Sequence, residues 1–167
     1  MTKPEQIDPL HNQDSEIFLR EVDSIRQSGS LDDLSRIINA LHYQKEHLNK
    51  KALTDLLADI KHEKMTEILI EAMKDEKNNA ILADLTQICW ESNLNFTEHL
   101  PFFANIFLNQ QYLVALEAFS VIENTFLDQT VTDEIRDELV ESIKNGLSGL
   151  SEHTKLLAVD LIHVIQE

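Results

Sequence analysis

Three glycines and three prolines are all that this chain of 167 residues contains. So few turn formers argue against a loop-rich or all-β organisation, and isolated glycines cannot build a phosphate-cradling loop. The lone cysteine, Cys89, excludes an internal disulfide and a cysteine metal cluster. Set between Ile88 and Trp90, it reads as a small buried hydrophobe. No run reaches the ~18 apolar residues of a membrane span, and the opening stretch MTKPEQIDPLHNQDSE has no apolar signal core. The expected location is cytoplasmic, with no membrane partner.

Basic side chains are scarce too. Fourteen Lys and Arg face 30 acids, for a formal charge of −16. Between Lys77 and Arg136 lie 58 residues, Asn78 to Ile135, with no basic residue at all. Phosphate backbones and anionic lipids require clustered Lys and Arg, so no nucleic-acid partner is expected. A basic protein or peptide suits the charge, although high charge also serves solubility alone.

Catalytic patterns are missing as well. His62-Glu63 is not followed by the second histidine of a zinc helix, and His153 and His163 fall on different faces of one helix. Ser120 and Ser142 lack the strand-to-helix elbow of a hydrolase nucleophile. Asp84 and Glu91 share a helix face, but 30 acids produce such pairs by accident. No metal and no cofactor is expected.

Helix formers remain, with Leu, Ile, Ala, Glu and Lys abundant and 43% of residues hydrophobic. The chain is long enough for one domain with a substantial core. Residues 1–13, polar and carrying Pro4 and Pro9, read as a loose tail, and 14–167 as a single all-helical repeat domain. Apolar periodicity predicts a helix from Asp14 to Gln27 and a second opened by a Ser30–Asp33 capping box. A bend over Tyr43–Asn49 leads into a third helix through Leu53 and Ile60. A fourth covers Met65–Met73, a turn Lys74–Asn79, and a fifth Ala80–Glu91. Pro101 fits a first helical turn, so a sixth starts near Leu100. The seventh spans Gln111–Asn124, the eighth Thr132–Lys144, and the last follows a Ser151 cap to the terminus.

Several helices resemble one another. Ala80-Ile-Leu-Ala-Asp-Leu85, Leu113-Val-Ala-Leu-Glu-Ala118 and Leu156-Leu-Ala-Val-Asp-Leu161 align at spacings of 33 and 43, which brings Asp84, Glu117 and Asp160 into register. Ala52-Leu-Thr-Asp-Leu56 is a fourth copy, with Asp55 lying 29 positions before Asp84. These spacings fall near those of helical-hairpin solenoids, in which stacking closes a core that no single hairpin closes. From about Ser30 to Glu167 the chain resembles the HEAT and armadillo-like superhelical class. It departs from that class in having no well-placed Pro in the first helix of a pair and no Arg after the acid of the second. The resemblance implies an all-α superhelix of stacked antiparallel hairpins acting as a scaffold or adaptor. The alternative fold is an irregular helical bundle.

Eight of the ten aromatic residues lie between Trp90 and Phe126. Trp90, Phe103, Phe107 and Phe119 read as core between hairpins. Phe96, Phe102, Tyr112 and Phe126, ringed by Glu91, Glu98, Glu123 and Asp128, form a candidate surface for a basic helix or peptide. The leading function is therefore a protein-binding or scaffold module. The alternatives are an acidic regulator that competes with nucleic acid for a basic partner, and an enzyme whose site assembles only in three dimensions.

Overall fold

The computed structural model describes residues 8–62 and 64–167, so the first seven positions of the expected tail lie outside the described residues. Nine α-helices and no strand occur among the described residues. They are α1 (Ser15–Ser28), α2 (Asp33–Ala40), α3 (His47–Ala58), α4 (Met65–Lys74), α5 (Leu82–Glu91), α6 (Leu100–Asn109), α7 (Tyr112–Asp128), α8 (Asp133–Gly146) and α9 (Glu152–Gln166).

Local chemistry explains the boundaries. Asp14 caps α1 by accepting the Glu16 and Ile17 N–H groups, Thr132 caps α8, and Ser151 caps α9. At Ser30 only half of the expected capping box forms. The Asp33 carboxylate accepts the Ser30 N–H at 2.8 Å, and the regular helix begins at Asp33. Pro101 occupies the first turn of α6, where its missing N–H has no partner to lose. Asn93, at φ 52°, reverses the chain after α5 in the left-handed region that asparagine tolerates.

Three boundaries differ from the expectations. The bend before α3 is short, and the helix already begins at His47. The turn expected over Lys74–Asn79 is in large part a 3-10 helix, Glu76–Ile81, capped by Asp75. Asn78 in it is buried, donating to the Ala72 carbonyl at 2.9 Å and bonding the His42 ring at 2.9 Å. Helix α7 runs one turn past Asn124. Thr125 is buried there because its hydroxyl donates to the Val121 carbonyl at 2.8 Å, a bond within the helix that hides its polarity.

Residues 8–13 are also held more firmly than a tail. Leu10 is buried within a 3-10 turn, Pro9–His11, and Gln44 donates to its carbonyl at 2.6 Å. Asp8 reaches Arg36 on α2 at 2.9 Å.

Packing follows a regular scheme. Helices α2, α4, α6 and α8 each pack on the helix that follows, and the connections are short enough to force antiparallel pairs. The odd-numbered helices also pack on one another in sequence, α1 on α3, α3 on α5, α5 on α7 and α7 on α9. Helix α7 is the hub of this row, lying against α5, α6 and α9. Ala115 and Ala118 let it approach closely, and Phe103 and Phe107 fill the space on the α6 side, all fully buried. Phe96 packs edge-on to Phe103 with ring centroids 5.5 Å apart.

The aligned acids lie on consecutive helices of the row. Asp84 on α5 bonds Lys50 on α3 at 2.7 Å, and Glu117 on α7 accepts the indole N–H of Trp90 on α5 at 2.6 Å. Each reaches back to the preceding odd-numbered helix. Asp55 instead pairs with Lys51 on its own helix at 2.8 Å. Lys61 joins two helix ends, donating to the Ala58 carbonyl of α3 at 2.9 Å and to the Ser92 carbonyl beyond α5. A cation at these C-termini complements their carbonyl dipoles.

Candidate binding surface

The eight candidate surface residues do not form one patch. Phe96 is buried at 1% exposure, and so belongs to the aromatic core. Phe102 is half-buried with its edge toward Phe103. Phe126 is half-buried, and the guanidinium of Arg136 covers its ring at 5.0 Å. Arg136 also donates to the Ile165 carbonyl, which ties the ends of α7, α8 and α9 together. The face of Phe126 is thus already occupied by a cation of the same chain. Tyr112 is exposed, but it stands at the N-terminus of α7 with its ring edge-on to His153 on α9. Fourteen residues of helix, about 20 Å at 1.5 Å per residue, separate it from Phe126.

The acids are spread out as well. Glu91 accepts a bond from Gln87 at 2.8 Å on its own helix. Glu98 lies in the 3-10 turn Thr97–His99, on the edge of a cleft beside α4. Glu123 and Asp128 lie on α7, and neither has an ion-pair partner among the described residues.

Two clefts flank α4. The first, about 510 Å³, is lined by Lys61, Thr66, Glu67, Asn95, Glu98 and His99. His99 approaches Glu67 at 3.4 Å, while the Lys61 ammonium is engaged by the two helix-end carbonyls. The second, about 670 Å³, has an apolar floor of Leu34, Ile38, Ile68 and Ala72 and carries Arg36 at its edge. That guanidinium bonds Asp8 at 2.9 Å, Glu21 at 2.8 Å and Asp33 at 2.8 Å, so three carboxylates of the chain already neutralise it. Its hydrogen bonds hold the Asp8 carboxyl below the usual carboxylate range. The Asp33 carboxyl is lowered first by the Ser30 N–H and then by Arg36. Neither cleft gathers three or more His, Cys, Asp or Glu side chains around a point where a metal could sit, and no such group occurs elsewhere among the described residues. Burial pushes the Cys89 thiol far up, which keeps it protonated and weakly nucleophilic.

Another surface has a clearer composition. On α7 the buried face is Ala115, Ala118, Val121, Ile122 and Thr125. The opposite stripe, Leu113, Leu116, Ser120, Glu123 and Leu127, follows helical spacing and faces away from the core. Leu113 is 58% exposed and Leu127 74%. On α9, Leu156 and Val159 are exposed to 70% and 62%. None of these four is among the surface residues expected from the sequence, yet on α9 a signal was present. Eight apolar residues in the ten from Leu156 to Ile165 exceed what one buried stripe of a helix can hold.

No helix among the described residues is long and apolar enough to cross a membrane. Comparison with protein-family models, with curated proteins and with solved structures gives no match, so the functional reading rests on the residues of this chain alone.

Proposed function

We propose that this protein is a non-enzymatic binding or scaffold module, a HEAT-like array of stacked hairpins that presents an acidic surface to a basic protein or peptide. The observation that carries this reading is the uncompensated charge of the central segment. Asn78 to Ile135 holds eight carboxylates and no Lys or Arg. Glu98, Glu123 and Asp128 among them have no ion-pair partner among the described residues, so folding leaves their charge free to act on a partner. The row of odd-numbered helices, with Asp84 and Glu117 each reaching back one helix, supports the stacked-hairpin reading.

Glu123→Lys tests the role of charge. Unfolding stability should fall by no more than about 1 kcal/mol, since Glu123 is half-buried on the outer stripe of α7 and has no ion-pair partner to lose. Association with a lysine-rich amphipathic peptide should slow, and its salt dependence should flatten. Unchanged binding at low salt would leave the acids as a solvating surface only. The same charge forecasts no binding to duplex DNA or RNA at physiological salt in a mobility-shift titration. Micromolar binding that weakens steeply with salt would contradict the reading.

A further inference from the structure

The geometry points to a specific docking face: the paired outer stripes of α7 and α9, which we infer take a basic amphipathic helix. The inference rests on the binding-module reading and gives it a place. Tyr112 meets His153 with ring centroids 6.4 Å apart, so the N-termini of the two neighbouring helices lie side by side. Tyr112 and His153 are 41 positions apart, within one helical turn of the 43-position spacing at which the two helices align in sequence. Leu113 matches Leu156, Leu116 matches Val159, Glu117 matches Asp160, and Ser120 matches His163. The result is an apolar strip two helices wide, with Leu113, Leu156 and Val159 each more than half exposed.

Charge decides what covers it. Helix α7 carries no basic residue, and the one lysine of α9, Lys155, is bonded to Glu152 at 2.8 Å. Glu123 lies in the α7 stripe and Asp160 on α9, and neither has an ion-pair partner among the described residues. A second copy of this chain would bring the same acids against them, whereas a helix with one leucine-rich face and lysines on its borders satisfies both the apolar strip and its rim. On α7 the strip is apolar at Leu113, Leu116 and Leu127 and polar between them, at Ser120 and Glu123.

The test is a fluorescence-anisotropy titration of the full chain with a labelled leucine–lysine peptide whose leucines fall on one helical face. A peptide of equal composition with scrambled leucines is run beside it. Wild type should prefer the amphipathic peptide, and Leu113→Ser with Leu156→Ser should weaken it about tenfold or more, the effect of removing central apolar anchors. Asp160→Lys should also weaken binding. Glu98→Lys, the same charge change at the opposite end of the α6–α7 pair, should have a much smaller effect. Equal losses for Asp160→Lys and Glu98→Lys, or a double serine variant that binds like wild type, would overturn the docking face while leaving an acidic binding module intact. A wild type that binds neither peptide would overturn the binding-module reading itself. Sedimentation of wild type as a dimer, with the serine variant monomeric, would make a second copy the occupant and refute the helical ligand.

Discussion

Replacing Phe107 with alanine should destabilise the protein by about 3–5 kcal/mol, the usual consequence of emptying an aromatic core position. Phe107 is fully buried on α6, the helix that packs most extensively on α7, and α7 in turn supports α5 and α9. A cavity at this junction loosens neighbours on both sides, because α7 packs on α5, α6 and α9. Urea or thermal unfolding measures the change, with the melting temperature falling by roughly 10 °C for a protein of this size. Leu127→Ala, at a site 74% exposed on the outer stripe of α7, should change stability by less than about 0.5 kcal/mol. If the two variants unfold alike, the faces of α6 and α7 are assigned wrongly.

The second large effect concerns Arg36. Its guanidinium gathers Asp8, Glu21 and Asp33 from three parts of the chain. Arg36→Met removes the cation and leaves the carboxylates to repel one another. Bonds to charged groups are each worth about 1.5–3 kcal/mol, but the Arg36 side chain is 38% exposed and water screens it. A net loss of about 2 kcal/mol near neutral pH is expected after that discount. The pH dependence has a definite sign. Asp8 and Asp33 are lowered in the folded state, so the stability they contribute is complete above the unfolded carboxylate value, near 4. It is lost as pH falls below that value toward their folded values. The gap between wild type and Arg36→Met should therefore narrow as pH drops from about 4 toward 2. A gap of constant size across this range would show that Arg36 acts through packing of its stem and not through the carboxylates.

The helices were legible because their signals are local. Caps at Asp14, Thr132 and Ser151, the first-turn Pro101 and the apolar spacing all act within a few residues. The repeated acids were legible too, and Asp84 and Glu117 do lie on neighbouring helices. What the sequence could not reveal depends on which neighbour covers each side chain. Phe96 and Phe126 look alike as exposed aromatic candidates, but one is inserted against Phe103 and the other lies under Arg136. Leu113 and Leu156 entered only as aligned positions of repeated helices, because periodicity reports that a stripe is apolar, not whether a packed partner faces it. Residues 8–13 are mostly polar in sequence, and what holds them comes from about thirty residues away: the Arg36 and Gln44 bonds, the Gln13 bond to the Tyr43 carbonyl and the stacking of His11 on Tyr43.

The most direct measurement is a two-dimensional amide NMR titration of the ¹⁵N-labelled 19.2 kDa protein with the leucine–lysine peptide. Chemical-shift changes should concentrate on Tyr112–Leu127 and Glu152–His163 and weaken as salt is raised. Changes concentrated instead on the cleft between α2 and α4, around Leu34, Ile38 and Ile68, would contradict the account.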